Sequence, residues 1–280
     1  MYEIMFLWVI GFIWILFASI QDLKSREVAN WVNFSLIIFV LGFRFFYCLF
    51  SETSFNFFYQ GLIGLGIFFI LGNLFYYSRI FAGGDAKLMI ALGTILPFSE
   101  YFLINLRIFM VFLIVFLFIG SFYGLFWGFV LSIKNFKNFK KEFVWQFKKN
   151  KLIIYLLSCL GICLAIFGFI NPLLMAFGVL FFLLPYFYFY AKAIEEVCMI
   201  KEVRVNKLTE GDWLYKNIKV GKRLIKANWD GLSQKDIQLI KKKYKQIKIK
   251  QGIPFVPVFL ISFLILTYLW FFVDFIFYLF

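Results

Sequence analysis

The stretch Arg79-Ile80-Phe81-Ala82-Gly83-Gly84-Asp85-Ala86-Lys87-Leu88-Met89-Ile90-Ala91-Leu92-Gly93 sets a carboxylate behind two glycines at the mouth of an apolar run. A helix opening at about Gly84 runs to Leu96 and stops at Pro97, whose ring and missing N–H end it. At 1.5 Å per residue such a helix reaches only about 20 Å, less than the roughly 30 Å hydrocarbon core of a bilayer. If the chain is a membrane protein, Asp85 sits below the membrane surface, at the bottom of a depression. An ionised group at such a place is costly, and it reads as a functional site by default.

The rest of the chain makes it a membrane protein. Of 280 residues, 63% are hydrophobic and 24% aromatic, with 44 Phe; soluble domains hold roughly 45–50% apolar residues. Runs long enough to span occur at 2–20, 31–50, 58–77, 106–133, 152–170, 173–191 and after 253–257, with the short helix from Gly84 between the third and fifth. The fold class predicted is a polytopic α-helical membrane protein of about eight transmembrane helices, with a small α+β cytoplasmic domain before the last. Four parts follow: a membrane core over 1–133 with five helices, a basic loop plus two extra spans over 134–191, the small domain over 192–252, and a final span over 253–280.

Details within this plan also carry expectations. The first span is no convincing cleavable signal peptide, because its n-region holds Glu3 and no small-x-small site closes it. Arg44 alone interrupts the second span. Gly120, Gly124 and Gly128 make a ridge on the fifth that suits close helix packing. Asn171-Pro172 hinges the sixth and seventh spans, and Pro185 is expected to kink the latter. In 192–252, strands are expected at Glu202–Val205, Ile218–Val220 and Lys248–Lys250, with turns at Gly221 and Asp230-Gly231. A helix over Ser233–Tyr244 should open on a capping box of Ser233 and Asp236. Some 60 residues are marginal for an independent fold, so this part should lean on the membrane body or its headgroups.

Charge assigns the sides. The segments 21–30, 78–87, 134–151 and 192–252 fall on one side of an eight-span chain and hold 27 of its 29 Lys and Arg. The opposite segments hold none, while Arg44 and Arg107 lie in or at spans. The positive-inside rule therefore puts both termini outside and the basic segments in the cytoplasm. Net charge is +14, but this distribution matches lysines to anionic headgroups and argues against a nucleic-acid partner.

The chain has no histidine. That excludes His-based triads, Cys–His dyads and His-ligated metals. Cys48, Cys159, Cys163 and Cys198 are scattered and read as apolar filler, with neither a zinc site nor a disulfide framework. Among carboxylates, Asp22 ends the first span and Asp85 begins the fourth, both on the basic side. Glu27 lies further into its loop, Glu3, Glu52 and Glu100 are on the other side, and Asp274 sits inside the last span. Two aspartates sharing one proton can activate water at one carboxylate and protonate a leaving amine from the other, because like charges drive their pKa values apart. The helix N-terminus at Gly83-Gly84, together with Lys87, favours the ionised form of Asp85, and the glycines let a substrate backbone approach.

These residues match a known pattern. Asp22-Leu-Lys-Ser-Arg26-Glu-Val28-Ala-Asn30, and Gly84-Asp85-Ala-Lys87-Leu88 with Gly93 eight residues after the Asp, resemble the two motifs of the type IV prepilin peptidase family of GxGD aspartyl membrane proteases. The likeness is to its archaeal preflagellin and prepilin peptidase branch. Gly211-Asp212-Trp213 through Gly252-Ile253-Pro254-Phe255-Val256-Pro257 also looks like the archaeal members' cytoplasmic domain and its return to the membrane. The likeness covers about 2–133 and 192–270. Two departures stand: Ala82 replaces the first Gly of GxGD, and spans six and seven look like an insertion, favouring a pilin-type over an archaellin-type enzyme.

The resemblance implies an aspartic endopeptidase with catalytic Asp22 and Asp85, and with Gly83, Gly84, Lys87, Arg26 and Asn30 supporting them or the substrate's approach. Its partners would be precursors with a short basic leader followed by a hydrophobic helix, cut at the cytoplasmic membrane face. The lysines then serve membrane lipids rather than the leader. No metal or organic cofactor is implied, nor any Gly-rich loop for a methyl donor. Two other readings compete: an ion-coupled transporter relaying protons through boundary carboxylates, and a non-catalytic scaffold of a pilus assembly machine.

Overall fold

The computed structural model describes residues 2–51, 53–168, 171–221, 223–228 and 231–273. The expectations at Glu52, Asp230, Asp274 and the end of the last span lie outside them. The chain divides into two compact units, Met1–Gly124 with Ile253–Phe280, and Leu125–Gly252.

The first unit is helical. It comprises α1 (Tyr2–Ser25), α2 (Asn30–Phe50), α3 (Asn56–Tyr77), α4 (Gly83–Ile95), the first two-thirds of α5 (Phe102–Lys134) and α10 (Val256–Phe272). Its centre is α4, in which Ala86, Leu88, Met89 and the whole run from Ala91 to Ile95 are buried. A helix apolar on all sides has to be enclosed, and glycine lets α3 enclose it closely. A Cβ on Gly64 would collide with the carbonyl of Gly93, and one on Gly93 with that of Gly64. At Gly72 a Cβ would lie 2.9 Å from the Ala86 carbonyl. The two helices therefore touch backbone to backbone, as small residues permit.

Aromatic rings close the other side. Phe109, Phe112 and Phe116 are buried along one stripe of α5, and Phe259 meets Phe116 with ring centres 4.6 Å apart. Phe81, from the stretch before α4, lies 5.8 Å from Phe116 and 6.0 Å from Phe255, pegging that stretch to the core.

The far end of α4 is held by Arg44. Its guanidinium is fully buried and donates to the carbonyls of Thr94 (3.0 Å), Phe57 (2.9 Å), Ile95 (3.3 Å) and Pro97 (2.6 Å). It lies 4.3 Å over the Phe57 ring, and Gly61 makes room, since a Cβ there would sit 2.7 Å from Arg44 Cδ. Two of these acceptors, Thr94 and Ile95, are orphan carbonyls in the last turn of α4, where a cation also meets the negative end of the helix dipole, and Pro97 follows just past the C-cap. Beside it, buried Asn105 joins Gln60 (2.9 Å) to the turn at Ser99.

The second unit holds α6 (Phe136–Lys149), α7 (Lys151–Phe167), α8 (Pro172–Ala193) with one π turn at Ile194–Cys198, and the strand-bearing part. The expected basic loop is instead largely the helix α6, because Phe139, Phe143 and Phe147 fall at i, i+4, i+8 and form one stripe among the lysines. Ring centres are 5.7 Å apart for Phe139–Phe143 and 4.6 Å for Phe143–Phe147, and the stripe meets Tyr190 and Phe189 of α8. Between α6 and α7 the chain bends by 77°. The helices α7 and α8 pack through Gly161 and Gly178, and α8 continues through Pro185. Of the fifth-helix ridge, Gly120 and Gly128 meet side chains while Gly124 faces open space. Cys48 and Cys198 are buried as filler, but Cys159 and Cys163 are exposed.

Before α10 comes a sheet of order β1 (Ile200–Arg204), β5 (Gln246–Lys250), β2 (Trp213–Leu214), all antiparallel, with a hairpin of β3 (Ile218–Val220) and β4 (Arg223–Ile225). Helix α9 (Gln234–Lys243) opens on Ser233, whose hydroxyl accepts from the Asp236 N–H (3.3 Å) and donates to the Asp236 carboxylate (2.6 Å). The strands, the cap and positive φ at Gly221 and Gly231 agree with the sequence reading. This part has its own small core around Leu214, Ile237, Ile240 and Ile249.

Among the described residues, five helices are long and apolar enough to cross a membrane, or six if the bent pair α6–α7 is one span. Eight is therefore not the number found: α4 is too short, α7 counts only with α6, and α10 is described over 17 residues. The polytopic helical class stands, with the small strand-bearing part where it was expected.

Candidate active site

The end of α1 and the start of α4 meet at one end of the first unit. Asp22 lies in the last turn of α1, only 6% exposed. Its Oδ2 accepts the backbone N–H of Val256 at 2.9 Å. That N–H belongs to the first turn of α10, which has no side-chain cap of its own, so Asp22 supplies an N-cap from 234 residues away. The backbone of Phe255, the residue before Val256, also interacts with this carboxylate, so the start of α10 holds Asp22 through two successive residues.

Asp85 stands half-buried in the first turn of α4, held by the backbone of Ala82 and in electrostatic range of Asp22. Asp22 and Asp85 therefore lie within electrostatic range of one another. Ala82 takes φ −69° and ψ 162° as the N-cap, a conformation open to any L-residue, so the missing glycine of the motif requires no distortion.

The segment after Asp22 turns on Arg26. This residue has φ 62°, in the left-handed region that costs a non-glycine roughly 1–2 kcal/mol, and its N–H bonds the Asp22 carbonyl at 2.9 Å. Its guanidinium lies in electrostatic range of Asp22 and Tyr123. The turn sends Val28 back against α4, where a Cβ on Gly84 would lie 3.7 Å from the Val28 nitrogen. It also sets Asn30 at the head of α2, where its Oδ1 accepts from Lys87 Nζ at 2.7 Å. The turn thus links Arg26, Gly84, Asn30 and Lys87, while Gly83 and Lys87 also line the far side of α4.

The glycines behave differently from those of α3. A Cβ on Gly83 would approach only Tyr76 Cε2, at 3.8 Å, and one on Gly84 would find ordinary contacts. Packing inside the protein does not require glycine at either position. A backbone passing close over the helix start would.

Sequence reasoning missed three contributors. Val256 was seen only as part of a lead into the last span, and Tyr123 only as part of the fifth. Arg44 was noted as an interruption, although a lone charge in an apolar run with no paired carboxylate nearby in sequence was a signal.

Residues 9–129 match the model of the Type IV leader peptidase family. The stretch takes in Asp22, Arg44 and Asp85 and ends before α6. Three curated preflagellin peptidases are similar. That of Methanocaldococcus jannaschii is 36% identical over 89 residues, 32% of this chain and 37% of its own length. That of Methanococcus maripaludis is 29% identical over 157 residues, 52% and 67% respectively, and that of Methanococcus voltae 34% over 95 residues, 33% and 39%. The chain thus spans between 37% and 67% of the length of the curated relatives it matches. No solved structure matches it. Both aspartates thus lie inside the stretch that is similar to the Type IV leader peptidase family, and the relatives that the chain resembles are preflagellin peptidases.

Proposed function

We propose that the chain is a membrane aspartyl endopeptidase that removes the short basic leader of type IV pilin-like or archaellin precursors. What supports this reading is that Asp22, in the last turn of α1, and Asp85, in the first turn of α4, lie within electrostatic range of each other. One carboxylate takes a proton from water, the resulting hydroxide attacks the scissile carbonyl, and the other carboxylic acid protonates the leaving amine. The products are the leader's new carboxyl end and the mature chain's amino end. Either Asp could fill either role, since such a pair titrates as a unit.

The other residues support the pair. Gly83 and Gly84 give the extended substrate backbone access to α4, Arg26 shapes the turn beside Asp22, and the Lys87–Asn30 bond ties α4 to α2. Cleavage would occur at the cytoplasmic face, on the side that holds 27 of the 29 basic residues, and slightly recessed, because α4 spans only about 20 Å. The extra helices α7 and α8 speak for a pilin-type substrate; the preflagellin names of the relatives weigh for the archaellin type.

The test is leader removal from a co-expressed precursor of either type. Asp22→Asn and Asp85→Asn should each abolish it while the protein stays in the membrane. Normal processing by either variant would overturn the dyad.

A further inference from the structure

A second feature of the first unit lies on the other side of α4. Between α2, α3 and α4 runs a groove of about 780 Å³, lined by Phe34, Ile37, Leu62, Phe69 and Ile90. Three observations give it a chemical order from its mouth inward. Lys87 Nζ stands at the rim on Asn30 Oδ1, at the first residue of α2. One turn deeper, Asn33 lines the groove, is 1% exposed, and has no hydrogen-bond partner for either its amide nitrogen or its oxygen. Below it the wall is hydrocarbon, and the floor dips at Gly66, where a Cβ would meet nothing within 4 Å.

A buried amide with both atoms unsatisfied costs about 1–3 kcal/mol, and no water enters a bilayer to satisfy it. A ligand in the groove can offer the amide nitrogen an acceptor once the Asn33 side chain turns into the groove, since neither amide atom is open to it in this structure. Cation, then amide, then hydrocarbon is the order that complements a phospholipid: phosphate, glycerol-level oxygens, chains. We propose that this groove is a binding site for one anionic phospholipid, with its phosphate on Lys87, its glycerol-level oxygens on the Asn33 amide nitrogen and its chains over Gly66. A substrate helix is disfavoured there, because Asp85 lies about 200° round α4 from the groove residue Lys87, at 3.6 residues per turn. A helix in the groove would present its scissile bond to the wrong side.

The test titrates the full chain in detergent with phosphatidylglycerol or phosphatidylcholine and counts bound lipid by native mass spectrometry. The wild-type chain should retain one phosphatidylglycerol in preference to phosphatidylcholine. Asn33→Leu should weaken retention about three- to tenfold, as expected for one membrane hydrogen bond, while unfolding at no lower temperature when stripped of lipid, because the lost amide has no protein partner. Lys87→Gln should bring the ratio of the two lipids to about one. Gly66→Leu, whose Cβ has open space, should fill the floor and abolish retention. Phosphatidylglycerol held equally well by wild type, Asn33→Leu and Gly66→Leu would overturn the proposal. So would a photoreactive residue at Phe69 that captures a protein segment instead of lipid in intact membranes.

Discussion

The pairs α3–α4 and α7–α8 use the same device to opposite ends. Each brings two helices into backbone contact through glycine: Gly64 against Gly93 in the first, Gly161 against Gly178 in the second. Around the first pair the unit closes. Most of α4 is buried, a buried cation holds its C-terminal end, and an aspartate and a Lys–Asn bond mark the other. Around the second pair nothing comparable gathers among the described residues. In α7 only Ile154 and Gly161 are buried, and large side chains such as Leu152, Tyr155, Leu156 and Leu180 stand exposed. A glycine contact builds a hairpin; polar groups at its ends make that hairpin a site. The family match follows the same line, ending at residue 129 before the second pair begins.

The strongest way to break the comparison is to put the same side chain into both contacts. Gly93→Leu should prevent α4 from seating, leaving no leader removal and a protein that unfolds or is degraded. Gly178→Leu should splay α7 from α8 yet leave leader removal above half of the wild-type rate. If both variants process alike, the two pairs are not functionally distinct. Next comes the anchor. Arg44→Met leaves four carbonyls without their donor and should lower stability by about 3 kcal/mol or more, read as thermal unfolding in detergent, with processing reduced in parallel. Arg44→Lys should recover only part, since one ammonium cannot reproduce the planar fork.

Smaller effects probe the glycines and the turn. Gly84→Ala should change stability by less than about 1 kcal/mol, given ordinary contacts at its Cβ, but slow leader cleavage about tenfold if substrate backbone must pass there, an effect of about 1.4 kcal/mol on the barrier. Equal rates would free Gly84 from the site. Smallest is Arg26→Gly, which relieves a left-handed arginine and should raise stability by about 0.5–1 kcal/mol after glycine's own entropy is counted. A loss of stability there would mean that the guanidinium's surroundings outweigh the strain.

Much of this was legible in sequence wherever the information is local. The short α4 followed from Pro97, the Ser233 cap from its spacing to Asp236, and β1, β3 and β5 from alternation. Local readings failed where lysine density hid a period: Phe139, Phe143 and Phe147 recur every fourth residue, and α6 is a helix for that reason. The count of eight is not confirmed, because α4 is short, as its stop at Pro97 implies, and α10 is described over only 17 residues. At the candidate site, the two aspartates, the glycines, Arg26, Lys87 and Asn30 are all legible in the sequence, since their spacing carries the motif. What no pattern could supply was which backbone groups come to meet them. The acceptors of Arg44 lie up to 53 residues away, and they are carbonyls, which every residue has.

The bond between Asp22 and the Val256 N–H also has a meaning in time. It joins the end of the first helix to the start of the last across 234 residues. While the chain is being made, Asp22 emerges 234 residues ahead of the N–H whose bond it accepts. Only the arrival of α10 completes that bond. A chain cut short before Val256 would carry both aspartates and every motif residue named above, yet it would lack the group that orients the first of them.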